Sequence, residues 1–170
     1  MRHAVPEDAV RLGELHVQVW HEAYAGLMPA EYLAGLDPAR SVVRWAERLA
    51  APEPGRVVLV GTADGKVVGM ASAGPSRDEP PDPPVEVYAV NVLAAHHGTG
   101  LASQLFETVL DAVAKDGPVS LWVAERNARA LAFYRRYGFA PDGRSKRLAE
   151  AEIDVVRLVR PARTTAPLHR

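Results

Sequence analysis

Two strand–turn–helix units follow one another in the second half of the chain, and they constrain the fold more than any other feature. The first unit joins an apolar strand at 85–93 to a helical pattern over 98–115. The second joins a strand at 119–124 to a helix that Asn127 caps and Gly138 ends. The length of the first apolar strand indicates a central place in a sheet. The alternation of strands and helices indicates an α/β arrangement.

The rest of the chain supplies a helical first third and further strands. Asp64 and Gly65 form a hairpin signal between two apolar stretches. The other predicted elements are a short strand at 2–5, helices beginning at Pro6, near Tyr32 and after Asp37, strands at 56–63 and 66–73, and a last strand at 153–159. The predicted fold class is therefore α/β (α+β), with a mixed, mostly antiparallel twisted sheet of about six to seven strands flanked by helices.

Length and composition indicate one domain. The chain has 170 residues, of which 48% are hydrophobic and 24% are charged, as in ordinary globular proteins. No long linker divides it, so we expect a single domain over 1–160 and a flexible tail at 161–170. The formal net charge is -1 and no long basic run is present. Nucleic acid and membranes are therefore not expected partners.

Several residue types and patterns are missing from the sequence, and their absence excludes classes of chemistry. Cysteine is absent, which excludes disulfides, a thiolate nucleophile and zinc sites built on cysteine. No group of His, Asp and Glu has metal-ligand spacing, so no metal is expected. The first residues lack the apolar segment of a signal peptide, and no apolar run approaches the roughly 18 residues of a membrane span. A cytoplasmic location is therefore expected.

The turn after the apolar strand contains Gly98 and Gly100, and a helical pattern begins there. Glycine lets the main chain approach an anion closely, and the first N–H groups of a helix favour negative charge. A pyrophosphate cradle is one interpretation of this turn, and a plain tight turn is the other. Ser103 stands where a dinucleotide-binding fingerprint needs its third glycine, and the Gly-Lys-Ser/Thr of a Walker A loop is absent. Neither of those two nucleotide-binding families is indicated.

Together the two units resemble the acetyl-coenzyme A core of the GCN5-related N-acetyltransferases. The family pattern Gln/Arg-x-x-Gly-x-Gly/Ala is matched by His97, Gly100 and Ala102, with histidine in place of Gln/Arg. The resemblance implies a sheet splayed between its fourth and fifth strands, and acetyl-CoA as co-substrate. It also implies direct transfer of acetyl to a primary amine in a ternary complex, without a metal. The implied coenzyme-binding residues are Val90, Val92, His97, Gly98, Thr99, Gly100, Leu101, Ala102 and Asn127.

The same resemblance implies two catalytic side chains. Tyr134 is implied as the general acid that protonates the leaving CoA thiolate. The alternative is a core tyrosine, a role that the nearby Tyr137 fits. Glu86 is implied as the general base, which takes a proton from the substrate ammonium through a water. The alternative for Glu86 is a structural carboxylate paired with an arginine.

In this family the helical first third and the loop before the central strand form the acceptor site. The implied substrate-binding residues are Trp20, Tyr24 and Tyr88. Asp78, Glu79 and Asp82 could attract a cationic amine, or simply form a solvated loop. A small-molecule amine is the favoured acceptor, and the alternatives are a protein N-terminus or lysine and a non-catalytic acyl-CoA-binding sensor. A homodimer is possible, with the C-terminal strand pairing across it.

Overall fold

The computed structural model describes residues 1–114 and 116–162. The α-helices are α1 (Ala9–Tyr24), α2 (Ala30–Ala34), α3 (Pro38–Ala50), α4 (Leu101–Val113) and α5 (Ala128–Arg135). Short 3-10 turns at Pro6–Asp8 and Ala94–His96 precede α1 and the glycine turn. Most of the predicted C-terminal tail, residues 163–170, lies outside the described residues.

Seven strands form one sheet, in the order β1-β2-β3-β4-β5-β7-β6. The strands are β1 (Arg2–His3), β2 (Val57–Ala63), β3 (Lys66–Pro75), β4 (Val85–Val92), β5 (Val119–Ala124), β6 (Ala140–Leu148) and β7 (Ile153–Arg160). Every neighbouring pair is antiparallel except β4 and β5, which run parallel. The predicted fold class, a mixed and mostly antiparallel sheet flanked by helices, is confirmed.

Strands β4 and β5 separate soon after they begin. Parallel strands need a crossover connection, which α4 supplies here. Their pairing consists of Glu86 with Ser120 and Val87 with Leu121, although each strand pairs along its length with its other neighbour. A gap therefore opens between β4 and β5 from Tyr88 onward. This gap confirms the predicted splay between the fourth and fifth strands.

Helices cover both faces of the sheet. Helices α4 and α5 pack on one face, over a core centred on the fully buried Phe106. On the other face α1 and α3 approach closely at Gly13, where an added Cβ would lie 2.6 Å from the backbone nitrogen of Val42. The later turns of α1 carry Trp20 and Tyr24 towards β5 and β7. The two helical layers thus meet the gap between β4 and β5 from opposite sides.

Differences from the predicted boundaries have local causes. The predicted first strand at 2–5 is reduced to Arg2–His3, because a 3-10 turn begins at Pro6. The helix predicted from 98 begins at Leu101, because the chain first passes through two residues with positive φ. Its predicted end at Lys115 falls on a residue outside the described part of the chain.

The C-terminal strand has the wrong position for the dimer contact predicted for it. Strand β7 lies between β5 and β6, and both neighbours use its main-chain groups. It therefore has no unpaired edge to offer a second copy. The edge on that side of the sheet is β6, and all nine of its residues are exposed.

Candidate active site

The turn before α4 leaves open space around its main chain. Gly98 and Gly100 have φ values of 80° and 86°, a conformation that favours glycine. A Cβ added to either residue would meet no atom within 4 Å, so the space beside both glycines is empty of protein. The turn borders a cavity of about 450 Å³. The first N–H groups of α4 begin at this turn, as an anion site requires.

Basic side chains from α5 complete the wall of this cavity. Arg129 and Arg136 face the glycine turn across it. The cavity is lined by Val92, His96, His97, Gly98, Gly100, Ala102, Ser103, Arg129, Ala132, Phe133 and Arg136. Two guanidiniums opposite a helix N-terminus make a site for a multiply charged anion such as a pyrophosphate.

His97 links the glycine turn to both neighbouring elements. Its Nε2 lies 2.9 Å from the carbonyl oxygen of Val92, which can only accept, so Nε2 carries the proton. The other ring nitrogen, Nδ1, then accepts a hydrogen bond from the guanidinium of Arg129. His97 therefore holds an arginine at the edge of the cavity. A connecting role of this kind gives a physical reason for histidine where the family pattern has Gln/Arg.

The main chain of β4 presents hydrogen-bonding groups to the gap. The N–H of Leu93 donates to Val68 of β3 at 3.0 Å. Successive residues of a strand direct their N–H and C=O groups to opposite sides, so those of Val90 and Val92 are directed towards β5. Beyond Val87, no β5 residue pairs with β4. An extended chain carrying amides could therefore pair with β4 there, as an added strand does.

A β-bulge lies where the gap opens. Ser72 and Ala73 are consecutive in β3, but they pair with Ala89 and Val87, so Tyr88 is the extra residue in β4. Such bulges redirect side chains and are over-represented next to active sites. The bulge lets Val87 and Val90, three residues apart, face the same core under α4.

Tyr134 of α5 packs in a cluster of aromatic rings. Its ring centroid lies 5.5 Å from that of Phe106 and 6.2 Å from that of Phe139. Burial raises the pKa of Tyr134, and the nearby phenol of Tyr24 raises it further, so the hydroxyl keeps its proton. No hydrogen bond joins the Tyr134 hydroxyl to another of the described residues. A protonated phenol without a partner is a donor ready for a ligand.

Asn127 and Tyr137, which lie near Tyr134, have the structural contacts expected of a helix cap and of a packing tyrosine. The side-chain oxygen of Asn127 accepts a hydrogen bond from the N–H of Ala130 at 3.1 Å and so caps α5. The cap uses the amide oxygen of Asn127 and leaves its amide nitrogen as a donor. Tyr137 packs against the ring of Phe106 and donates a hydrogen bond to Glu107 at 3.0 Å.

Comparison with known proteins identifies the family that this arrangement belongs to. Residues 17–139 match the acetyltransferase (GNAT) family. The chain belongs to this family. An uncharacterized N-acetyltransferase of Mycobacterium tuberculosis is 34% identical to this GNAT protein over 141 residues, which cover 80% of this chain and 85% of that one. The protein is therefore an N-acetyltransferase, as predicted.

Two further GNAT proteins are similar over most of their length. The L-amino acid N-acetyltransferase AaaT of Escherichia coli is 29% identical over 152 residues, covering 88% of this chain and 87% of its own. The PaiA N-acetyltransferase of Thermoplasma acidophilum, solved in complex with coenzyme A, superposes with a TM-score of 0.69 and 16% identity. The superposition covers 92% of this chain and 95% of that one. This last likeness shows that the GNAT fold is shared.

Glu86 of this GNAT chain is buried, with 1% of its side chain exposed. Arg77, in the loop before β4, binds its carboxylate through the backbone N–H at 2.9 Å, through Nε at 3.2 Å and through a terminal guanidinium nitrogen. Both carboxylate oxygens therefore have partners. The arginine pairing foreseen as the alternative for Glu86 is present, and the role of this residue as a base stays a prediction.

The structure brings two of the three predicted acceptor residues together. The rings of Trp20 and Tyr24 lie 5.2 Å apart on α1, and Tyr32 of α2 lies 6.4 Å from Trp20. Trp122 of β5 packs against the same group. These rings form an apolar surface on the side of the gap opposite α5. Tyr88, the third residue, belongs to a different group of side chains at the start of the gap.

The acidic loop between β3 and β4 is fastened to the end of the sheet. Asp78 accepts hydrogen bonds from Arg157 at 2.9 Å and from the indole N–H of Trp122 at 3.0 Å. Arg157 also bonds the carboxylate of Asp142 and, at 2.9 Å, the carbonyl of Asp82. The charge of Asp78 is thus neutralised within the protein, so the structure does not leave it as an attractor for a cationic amine.

Arg77 and Arg157 shape the site, and the motifs in the sequence did not identify them. Arg157 had one visible signal, because it is a charged residue between the apolar pairs Val155-Val156 and Leu158-Val159 of the last strand. A charge that is only 5% exposed requires a partner. Arg77 lies in a proline-rich loop, and no sequence pattern there indicates a buried partner for it.

No group of three or more His, Asp or Glu side chains in residues 1–114 and 116–162 could hold a metal ion. No helix in the same two ranges is long and apolar enough to cross a membrane.

Proposed function

We propose that this protein transfers an acetyl group from acetyl-CoA directly to the primary amine of a small molecule. The observation that carries the proposal is the presence of three features in one site: the anion cradle at the glycine turn, the edge of β4 that β5 leaves unpaired, and the protonated hydroxyl of Tyr134. The cradle suits a diphosphate, the edge of β4 suits a chain with two amides, and the Tyr134 hydroxyl suits a reactive thioester.

The residues of the path fit acetyl-CoA. The N–H groups of the turn at Gly98 and Gly100, together with Arg129, would bind the pyrophosphate. The main chain of Val90 and Val92 would pair with the amides of the pantetheine arm. The remaining predicted contacts of the turn would come from His97, Thr99, Leu101 and Ala102, and a side-chain contact to the arm from Asn127. The coenzyme supplies an acyl thioester when it is bound.

Tyr134 is proposed as the general acid. The amine nitrogen attacks the thioester carbon, an N–C bond forms and the C–S bond breaks. The Tyr134 hydroxyl donates its proton to the sulfur, so that CoA leaves as a thiol. A proton lost by the amine nitrogen then restores the phenol through solvent. Because burial raises the pKa of Tyr134, the acid stays protonated over the pH range in which amines are nucleophilic.

Glu86→Gln tests the prediction that Glu86 is the general base. A base is needed most at low pH, where the substrate is an ammonium ion, and least at high pH, where the free amine predominates. We therefore expect kcat/KM to fall most at the acidic end of a profile between about pH 6 and pH 9. An equal loss at every pH, together with a lower melting temperature, would assign Glu86 a structural role beside Arg77 instead.

A small molecule is the proposed acceptor. The aromatic surface of Trp20, Tyr24 and Trp122 suits one apolar group, and α2 packs over it at Tyr32. The relative in Escherichia coli is named for the acetylation of L-amino acids, which supports an acceptor of this size. A protein N-terminus or lysine is the alternative and would need an open groove beside the same rings.

The experiment is a thiol-release assay with acetyl-CoA and a panel of small amines, with acetylated products identified by mass spectrometry. We expect release of CoA that depends on the amine and an N-acetyl product. Peptides with free N-termini or lysines form the second arm. Acetylation of peptides alone would overturn the small-molecule acceptor, and CoA binding without transfer to any amine would overturn the proposed reaction.

Gly100→Ala tests the anion cradle. A Cβ at Gly100 would occupy the cavity beside the turn, and alanine disfavours a φ of 86° by roughly 1–2 kcal/mol. We expect the Kd of CoA to rise at least about tenfold. Gly65→Ala is the matched control, because Gly65 has a φ of 75° and equally open space in the β2–β3 hairpin. Equal CoA affinity in the two variants would contradict the cradle.

A further inference from the structure

Two guanidiniums flank the point where the gap between β4 and β5 opens. Tyr88 is the bulged residue of β4 at this point. Its ring lies between the guanidinium of Arg56, at 4.7 Å, and that of Arg77, at 4.5 Å. Its hydroxyl donates to the carbonyl of Pro75 at 2.6 Å, which holds the ring in place. This end of the gap is opposite the anion cradle, so it is the end nearest the reactive thioester in the proposed function.

A third guanidinium joins this group from α3. Arg48, in the last turn of the helix, stacks on the buried ring of Trp45 at 4.7 Å. Partial burial lowers the pKa of Arg48, the charges of Arg56, Arg77 and Arg44 lower it further, and the charge of Glu53 raises it, so Arg48 lies within the electrostatic field of the other two cations. We name Arg48, Arg56, Arg77 and Tyr88 the arginine cluster.

The arginine cluster carries an excess of positive charge. Its carboxylate partners are Glu86, held by Arg77, and Glu53, which lies 3.0 Å from Arg56. Glu53 is 62% exposed, so water screens its charge. The buried Nε of Arg56 has no hydrogen-bond partner in the described part of the chain. Three cations therefore face one buried and one screened anion, in a protein whose net charge is only -1.

The positive charge of the nearby arginines also affects His16 on α1. Burial and then the charges of Arg44 and Arg48 lower the pKa of His16 on α1 to about 4, so its imidazole is neutral near pH 7. The ring of His16 stacks 4.9 Å from Trp20, the first of the acceptor aromatics. The charge of Arg48 thus acts on His16, whose ring stacks against the proposed acceptor surface.

We propose that the arginine cluster binds a carboxylate on the acceptor, so that the preferred substrates are amino acids and not simple amines. Guanidiniums match the planar geometry of a carboxylate and form strong charge-assisted hydrogen bonds with it. An acceptor anchored by its carboxylate at Arg48 and Arg56 would hold its amine near the bulge at Tyr88. This inference rests on the proposed function and specifies the substrate class of the same site.

The experiment compares each of the common L-amino acids with its uncharged amide as acceptor in the thiol-release assay. We expect kcat/KM to be at least about tenfold higher for the amino acid than for its amide, through a lower KM. In Arg48→Gln and Arg56→Gln we expect the KM for the amino acid to rise at least about tenfold, with kcat and the KM for the amide nearly unchanged. Arg48 is exposed, so its variant tests the idea even if the Arg56 variant folds poorly.

Arg40→Gln is the control for a change of net charge on the same helix, because Arg40 is exposed in the first turn of α3. Its KM values should match those of the wild type. Amides acetylated as well as amino acids, or an equal change of both KM values in Arg48→Gln, would overturn the arginine cluster as a carboxylate site and leave the transferase reaction standing. Acetylation of neither class, with CoA still bound, would overturn the reaction and this inference together.

Discussion

Tyr134→Phe should lower kcat at least about 100-fold while leaving the Kd of acetyl-CoA within about twofold of the wild-type value, because general acids contribute roughly 10² to 10⁴ in rate. The substitution removes one hydroxyl and keeps the ring that packs against Phe106. No hydrogen bond joins that hydroxyl to another of the described residues, so its loss should not weaken the folded state. Steady-state kinetics and calorimetry on the same preparation separate the two effects.

Tyr137→Phe is the matched control for this prediction. Tyr137 lies in the turn that follows α5 and contacts the same Phe106 ring, with centroids 4.8 Å apart. Its hydroxyl points to Glu107 at the surface, away from the gap. We expect its kcat to stay within about threefold of the wild type, since an exposed hydrogen bond contributes little. Equal rates for Tyr134→Phe and the wild type would remove Tyr134 from the reaction.

Arg157→Met should produce the largest loss of stability, about 3–5 kcal/mol in the free energy of unfolding. Arg157 is 5% exposed and binds Asp78, Asp142 and the carbonyl of Asp82. Methionine fills a similar volume but leaves Asp142 without its cation and the 10% exposed carboxylate of Asp78 with only Lys146, 4.0 Å away. Because Asp78 also bonds the indole of Trp122, the loop next to the acceptor surface should loosen as well. Denaturant unfolding near pH 7 measures the change.

Arg147→Met is the control, since Arg147 pairs with Asp154 at 3.1 Å and both side chains are 55% exposed. Its loss should cost less than about 1 kcal/mol. A loss of the same size for both arginines would contradict the buried network around Arg157.

The pH dependence of the free energy of unfolding gives an independent check on the network around Arg157. Burial raises the pKa values of Asp78 and Asp142, but the hydrogen bonds and charge of Arg157, together with Trp122 and Lys146 at Asp78 and with Arg144 at Asp142, hold both below the usual 3.8. A lowered pKa contributes stability above the usual pKa, and the contribution is lost as the pH falls through the folded-state value. The difference between wild type and Arg157→Met should therefore be full near pH 7 and shrink below about pH 4.

Much of the fold was predictable because its signals are local. The Asp64-Gly65 hairpin, the cap at Asn127 and the glycine stop at 138 each depend on residues that are neighbours in sequence. The apolar strand at 85–93 had to be central, and β4 lies between β3 and β5. The prediction of the gap beside β4 came from the family resemblance, because no residue pattern within one strand specifies where the neighbouring strand separates from it.

The parts that could not be predicted depend on contacts between distant segments. The partner of Glu86 is Arg77, nine residues away across a proline-rich loop, and that of Asp78 is Arg157, 79 residues away. The place of β7 inside the sheet, which excludes it from a dimer edge, is also a long-range outcome. The grouping of Arg56 and Arg77 around Tyr88 joins two loops and a strand, and only the folded chain reveals it.

The measurement that tests the central claim most directly is calorimetric titration of the purified protein with acetyl-CoA and with CoA. Binding of one molecule per chain with a micromolar Kd is the predicted result, because the cradle at Gly98 and Gly100 and the unpaired edge of β4 are preformed. No binding of either compound at millimolar concentration would contradict the account, since the glycine turn would then be only a turn.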